Sequence, residues 1–289
     1  MKIHLVDGTY ELFRSFYGAQ PKKAPDGREV GAMLGLLNSL LSLIAKSGAT
    51  HIACAFDHVI TSFRNDLFPG YKSGAGVDPQ LLAQFTLAEE AVTALGIVVW
   101  PMVEFEADDA IASAVARFHN ELGVEQIVVC SPDKDLAQLV IGHLVVGSDP
   151  RRDIVYDDAA VLEKYGVRPT SIPDWLALVG DSADGFPGIA GWGPKSAASV
   201  LVRYEHIESI PADPRKWEIG NRALRLAENL KSHPDEVLLY RQLATLRRDV
   251  PLQQNLADLE WHGARKRLTP LCEELGDSAL VKRVPRWSA

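Results

Sequence analysis

The sequence predicts an α/β fold, with a mainly parallel central sheet flanked by helices. Short runs rich in Val, Ile and Ala alternate with amphipathic helical patterns over the first 170 residues, and alternation of this kind implies a parallel sheet covered on both faces. Three of the runs end in aspartate. The composition, 47% hydrophobic and 24% charged over 289 residues, is that of a globular chain with one large domain or a domain and an appendage. In chain order, Ile3-His-Leu-Val6 reads as a short strand ending at Asp7. Ile52-Ala-Cys-Ala-Phe56 is a second, ending at Asp57, and Ile97-Val-Val-Trp100 a third. Ile127-Val-Val-Cys130 leads into Ser131-Pro-Asp-Lys-Asp135, and Leu144-Val-Val146 follows. Helical patterns fall at about 31–47, 80–95 and 106–120, and beyond the core at about 221–231 and 235–246.

No apolar run reaches the ~18 residues a membrane span needs. Asp7 and Glu11 stand where the apolar stretch of a signal peptide would lie. Three cysteines are no disulfide framework, so the expected setting is a reducing cytoplasm. The net charge of −8 by itself argues against a nucleic-acid partner, but it is unevenly placed. Residues 1–199 hold 15 Lys+Arg against 25 Asp+Glu, and residues 200–289 hold 15 against 13.

The acidic half repays closer reading. In an open parallel sheet, ligands bind beyond the carboxyl ends of the strands, where Asp7, Asp57, Asp133 and Asp135 fall. One such aspartate is ordinarily a turn or helix-cap residue. Three at one end of a sheet call for another explanation. In Glu104-Phe-Glu-Ala-Asp-Asp-Ala-Ile111, residues 107, 110, 111, 114, 115 and 118 form a buried stripe, with Glu106 and Asp109 sharing the neighbouring face. Asp108 lies across the stripe and is the weakest candidate of the three, while Glu104 reads as helix-dipole complementarity. Asp181 and Asp184 in Leu178-Val-Gly-Asp-Ser-Ala-Asp184 complete a set of nine acids. Two carboxylates 4 Å apart repel by roughly 4 kcal/mol at an effective dielectric of 20, so such a cluster takes up protons or holds cations. Oxygen ligands select Mg²⁺ or Mn²⁺, and this many acids points to two or more ions, an arrangement suited to displacement at phosphorus.

Downstream, Gly191-Trp-Gly-Pro-Lys195 is a tight turn into a helix with Pro194 at its first position. Glycines let backbone N–H groups approach a phosphate, and Lys195 adds charge; a hairpin of this kind grips a sugar–phosphate backbone without reading bases. Upstream, Arg64, Lys72 and the aromatics Phe63, Phe68 and Tyr71 form a second basic element able to contact phosphates and stack on an unpaired base, or else a solvated loop over a small satellite core. The histidines show no metal-ligand spacing. Asp7-Gly-Thr9 suggests an aspartyl-phosphate phosphatase, but that chemistry needs an Asp where Leu5 stands.

In this combination the chain resembles the bacterial 5′–3′ exonuclease and flap endonuclease family, which includes the N-terminal nuclease domain of DNA polymerase I. The carrying stretches are Leu5-Val-Asp-Gly8, Ala55-Phe-Asp57, Phe63-Arg64, Gly70-Tyr-Lys72, Glu106-Ala-Asp-Asp109, Asp133-Lys-Asp-Leu136, Leu178-Val-Gly-Asp-Ser-Ala-Asp184 and Gly191-Trp-Gly-Pro-Lys195, in the family's order. No polymerase domain follows, which implies a stand-alone member. The resemblance implies a PIN-like 5′ nuclease core over residues 1–170, with a helical arch at about 62–85 that threads a 5′ single strand. It implies a helical DNA-binding region over residues 171–289, with a helix-hairpin-helix (H2TH-like) element at about 186–203 that holds the duplex, with K⁺ at the hairpin.

Residue by residue it implies Asp7, Asp57, Glu106, Asp108, Asp109, Asp133, Asp135, Asp181 and Asp184 as metal ligands. It implies Lys72 and Arg64 as catalytic cations, and Tyr71, Gly191, Gly193, Lys195 and Ser196 as DNA contacts. The activity implied is divalent-metal-dependent 5′–3′ exonuclease and 5′-flap endonuclease cleavage in DNA replication and repair. The expected partner is DNA with a flap, nick or free 5′ end, and the expected protein is a cytoplasmic, nucleoid-associated monomer. Three departures stand out: Ser73-Gly-Ala-Gly76 where the family has a further basic residue, Pro132 in place of Gly, and Gly185 in place of Asn. The first keeps a non-catalytic DNA-binding protein as the alternative. Arg222, Arg225, Lys231, Arg247 and Arg248 read as a solvated surface, with an extension of the duplex-binding face as the other reading.

Overall fold

The computed structural model describes residues 1–149, 152 and 154–288. Six strands form one sheet in the order β3-β2-β1-β4-β5-β6. They are β1 (Lys2–Asp7), β2 (His51–Asp57), β3 (Val98–Met102), β4 (Gln126–Cys130), β5 (Val145–Asp149) and β6 (Ile154–Tyr156). β1 to β5 run parallel, and β6 returns antiparallel along β5. The chain leaves β1 toward β2 on one side and reaches β4 on the other, so the order reverses at β1/β4. In such sheets that reversal opens a crevice beyond the carboxyl ends of the strands.

Strand residues alternate between two cores because successive side chains point to opposite faces. Val6, Cys54, Phe56, Val128 and Val146 face helices α1 (Gly8–Gly18), α2 (Gly31–Lys46), α4 (Pro79–Leu82) and α5 (Phe85–Ala94). Ile3, Leu5, Ala53, Ala55, Ile127 and Val129 face α6 (Ala107–Phe118). α3 (Phe63–Leu67) sits between β2 and α4. The expected helix at 80–95 is split into α4 and α5 by residues 83 and 84. Neither α1 nor β6 was expected: α1 follows β1 with no loop, and β6 is three residues long.

A third core belongs to a helical region: α7 (Asp158–Tyr165), α8 (Ile172–Val179), α9 (Pro194–Tyr204), α10 (Arg222–Ser232) and α11 (Pro234–Ala244) close around Trp175, Leu176, Phe186, Trp192 and Trp217. The hairpin element therefore begins with α8, before residue 186. The expectation that all of residues 171–289 form this region is corrected by the tail. Leu246 and Leu259 pack in the α6 core, while α12 (Leu268–Glu274) and α13 (Ser278–Val281) pack on the α2 side through Leu268, Leu271, Leu275 and Leu280. The Trp261 N–H donates to the Thr50 carbonyl and its indole to the Leu95 carbonyl, pinning the tail to the sheet.

Residues 62–85, expected to form a helical arch, hold only the short α3 and α4 and the start of α5. Between α3 and α4 the loop lies down on the protein. The Lys72 N–H donates to the Asp184 carbonyl, and Asn65 Nδ2 donates to the Lys72 carbonyl at 2.9 Å. Among the described residues, no helix is long and apolar enough to cross a membrane.

Candidate metal centre and nucleic-acid interface

The fold gathers the strand-end acids at the β1/β4 crevice. Asp7, the last residue of β1, caps α1 by accepting the Tyr10 N–H on Oδ1 at 2.8 Å, and accepts the Ser131 hydroxyl on Oδ2 at 3.0 Å. The modest capping role is thus real, and it fixes the carboxyl at the mouth of the sheet. Burial, reinforced by the charges of Asp57 and Asp133, pushes Asp7 up to about 7. Asp57 accepts the Ala107 N–H at 2.6 Å, and burial pushes it up to about 6 against the pull of Lys72. Asp133 is exposed at the mouth. Asp108 lies in the field of Asp133, Asp7 and Asp57, and burial with those charges raises it well above the usual carboxylate range.

Asp135, Asp181 and Asp184 form a second group, each offering a carboxylate oxygen within 4.8 Å of the others. Asp135 is buried and raised well above its ordinary value by burial and by Asp133, Asp184 and Asp181, and its Oδ1 has no hydrogen-bond partner. Asp181 and Asp184 are placed by a tight two-stranded turn in which residues 181 and 186 exchange backbone hydrogen bonds. Gly185 in that turn has φ +86°, and a Cβ there would stand 2.2 Å from the Gly70 carbonyl oxygen. Glycine is what lets the Gly70–Lys72 segment close on the acids. Lys134 Nζ lies 2.7 Å from Asp181 Oδ2, and Lys72 Nζ lies 2.7 Å from Glu106 Oε2 and 3.6 Å from Asp184 Oδ1.

An all-oxygen donor set with one orphaned buried oxygen and several carboxyls raised by burial and, after it, by one another's charges fits hard divalent cations. The residues present suit the group they are expected to hold.

Two of the nine acids serve differently. Asp109 is fully buried, and its oxygens accept Arg64 Nη1 and Nη2 at 2.7 and 2.8 Å, the Glu106 N–H at 3.0 Å and the Arg247 N–H at 2.8 Å. Nothing is left for a metal, which corrects its expected role. Glu106 is the N-cap of α6 and is held by Lys72, Arg64, the Ser62 hydroxyl at 2.6 Å and the Tyr71 hydroxyl at 3.3 Å. Burial alone would raise it, but Lys72 and Arg64 keep it below its ordinary value. The ranking read from the sequence is therefore inverted: Asp108 stands in the pocket and Asp109 beneath it. α6 starts at Ala107, and the reciprocal cap between Glu106 and Asp109 turns both inward.

Arg64 is corrected as well. It is 1% exposed, and besides Asp109 it donates to the Leu243 carbonyl at 2.8 Å and the Thr245 carbonyl at 3.2 Å. Its guanidinium is enclosed by these partners and is not presented to the pocket. Tyr71 is 4% exposed in the helical core, and its hydroxyl donates to Asp184 at 3.1 Å and to Glu106, so its ring offers no face to a base. Lys72 alone of the three presents its charge to the pocket. Sequence reasoning missed Lys134 and Ser131, although both lie inside the Ser131–Asp135 stretch.

The hairpin turn has the predicted form. Gly191 has φ +82°, Gly193 caps α9, and Pro194 is the first helical residue. The Ser196 hydroxyl accepts the Gly193 N–H and donates to the Gly193 carbonyl, both at 3.0 Å, so it closes the turn. Lys195 is exposed and makes no ion pair among the described residues. Trp192 is buried against Trp217, and its indole donates to the Leu226 carbonyl at 3.2 Å, locking the turn to α10.

Two family models together span most of the chain: the "5′-3′ exonuclease, N-terminal resolvase-like domain" over residues 2–166 and the "5′-3′ exonuclease, C-terminal SAM fold" over residues 167–267. The chain is 32% identical to the 5′-3′ exonuclease of Aquifex aeolicus (strain VF5), covering 98% of this chain and 95% of that one. It is 34% identical to DNA polymerase I of Bacillus caldotenax over 98% of this chain, but spans only 32% of that relative's length. A solved structure of the T5 D15 protein co-crystallized with metal ions shares the fold, with a TM-score of 0.68 at 16% identity over 98% of this chain and 97% of that one. By these matches and by the acids that the fold assembles, the chain belongs to the 5′-3′ exonuclease family.

Proposed function

We propose that the protein is a structure-specific 5′ nuclease that hydrolyses DNA phosphodiesters at a free 5′ end, nick or flap. The observation that carries this is the convergence of Asp7, Asp57, Asp108 and Asp133 with the Asp135, Asp181 and Asp184 group at one sheet end. Two or more Mg²⁺ or Mn²⁺ ions held by these residues would supply an activated water and stabilise the leaving oxygen.

The chain's own side chains supply the rest. Lys72, partly exposed and kept charged by Glu106 and Asp184, directs a cation at the scissile phosphate's oxygens. Lys134 adds a second beside Asp181. Arg64 and Tyr71 hold Glu106 and Asp184 in place from beneath. The Gly191–Lys195 turn, which would hold the K⁺ that the family resemblance implies, positions the duplex through its backbone. No Lys or Arg occurs from residue 73 to residue 116, so the 5′ strand is gripped by Lys72 rather than by a charged arch. That feature favours a second reading, a DNA-binding member that does not cleave.

The deciding experiment compares 5′-flap, nicked and single-stranded DNA with Mg²⁺ and with EDTA. Mg²⁺-dependent release of 5′ products, greatly reduced in Asp57→Ala and Asp133→Ala, is the expected outcome. Full activity in both variants would end the metal-site reading, and tight binding in Ca²⁺ with no product in Mg²⁺ would favour the second one.

A further inference from the structure

The helical region's arginines divide into two kinds. Arg168, Arg203, Arg215 and Arg241 each face a carboxylate: Glu205, Glu218, Asp213, and Asp174 with Glu208. Arg222 and Arg225 are exposed and have no ion pair or hydrogen-bond partner for their side chains among the described residues. Both lie near the start of α10, whose first turn holds no acid. A cation there is opposed by the helix dipole, so these charges do not serve α10's own stability.

Their position gives them another use. α10 is fastened to the hairpin turn, with Asn229 Nδ2 donating to the Ala190 carbonyl at 2.5 Å and the Leu226 carbonyl accepting the Trp192 indole at 3.2 Å. On this fixed helix, Arg225 Nη2 lies 3.6 Å from where a Cβ on Gly191 would stand, so its guanidinium borders the turn. Arg222 is three residues earlier and on the same helical face. Glu228, also exposed, is the acid three residues further on.

We propose that Arg225 and Arg222 are a second phosphate-gripping edge that extends the hairpin turn along the backbone of a DNA duplex. The proposal rests on the reading of the turn as a duplex-binding element and adds the residues that widen its footprint. A guanidinium suits the task because its planar fork can take two phosphate oxygens at once.

The test measures binding of a short blunt DNA duplex, in Ca²⁺ so that nothing is cleaved, for the full chain and for Arg225→Gln, Arg222→Gln, the double variant and Arg215→Gln. Each α10 variant should weaken Kd about threefold to tenfold and lower the slope of log K against log salt by about one, while Arg215→Gln, whose charge is already paired, should change neither. Circular dichroism spectra matching the wild type, with Arg225→Lys recovering part of the affinity, would assign the loss to the guanidinium. The proposal fails if Arg225→Gln and Arg222→Gln bind like the wild type, or if Arg215→Gln loses as much as they do, since that marks diffuse charge rather than contact. A wild-type chain that cleaves flaps while the α10 variants bind normally sinks this inference alone; one that binds no duplex sinks the reading of the turn with it.

Discussion

Replacing Arg64 with alanine separates two roles that the sequence leaves equally open. If its guanidinium met substrate phosphate, Arg64→Ala would fold normally and turn over slowly. In the structure the same group is 1% exposed and donates to both oxygens of Asp109 and to the carbonyls of Leu243 and Thr245. Removing it leaves a fully buried carboxylate and two carbonyls short of a donor. Breaking a buried pair from one side costs about 3–5 kcal/mol, which for a chain of this size corresponds to a fall in Tm of roughly 6–15 °C. Differential scanning fluorimetry of wild type, Arg64→Ala and Arg64→Lys reads this directly. Lysine should fall between them, because it keeps the charge and loses the fork. Cleavage should decline along with stability, since Glu106 and the end of α11 lose a shared anchor. A Tm within a degree or two of wild type in Arg64→Ala, with activity gone, would refute the buried-anchor assignment and return Arg64 to the substrate.

Two further outcomes follow from the acid pocket and its turn. Asp57 and Asp7 rise from 3.8 to about 6 and about 7, so they bind protons more tightly in the folded chain than in the unfolded one. Their contribution is full below about pH 4 and lost as pH climbs through 6 and 7, Asp57 alone accounting for about 1 kcal/mol between about pH 5 and 8. The metal-free protein should therefore melt at lower temperature at about pH 8 than at pH 5 for these groups, and added Mg²⁺ should raise Tm more at the higher pH; a Tm shift by Mg²⁺ that shrinks as pH rises would contradict this. Gly185→Ala should destabilise by about 1–3 kcal/mol and slow cleavage together, because the new Cβ meets the Gly70 carbonyl and displaces the segment that ends in Lys72; denaturant melts identical to wild type would show that the turn accommodates it.

The strand-end acids were legible because two local rules coincide: apolar runs mark strands, and an aspartate after a run marks the carboxyl end of a parallel sheet. Asp7, Asp57, Asp133 and Asp135 needed nothing more. The Asp108 and Asp109 assignments inverted although the buried stripe of α6 falls where it was expected: Asp109, on the face beside that stripe, is covered by Arg64 and by the backbone of Arg247, whose approach the local sequence does not show. Arg64 and Tyr71 were misread for a different reason. A basic or aromatic residue in a loop looks like a ligand-binding group until its partners are known, and those of Arg64 lie 42 to 181 residues away. The tail's return to the sheet was hidden likewise, since periodicity in α12 shows that a face is buried but not against which core.

The division of the chain into a sheet domain and a helical region does not divide the site. Asp7, Asp57, Asp108 and Asp133 come from the sheet side, whereas Asp181 and Asp184 come from the turn after α8, and Asp135 lies on the short turn after β4. Lysines already cross the seam: Lys134 reaches Asp181, and Lys72 spans Glu106 and Asp184. Two ammonium groups among seven clustered carboxyls leave most of that charge uncompensated, which is why burial and mutual repulsion raise Asp7, Asp57, Asp108, Asp135 and Asp184 together. Asp135 Oδ1 is buried with no hydrogen-bond donor among the described residues, so a cation there would displace no existing partner. The acids of the sheet side and those of the turn after α8 therefore meet in one pocket, joined across the seam by Lys72 and Lys134.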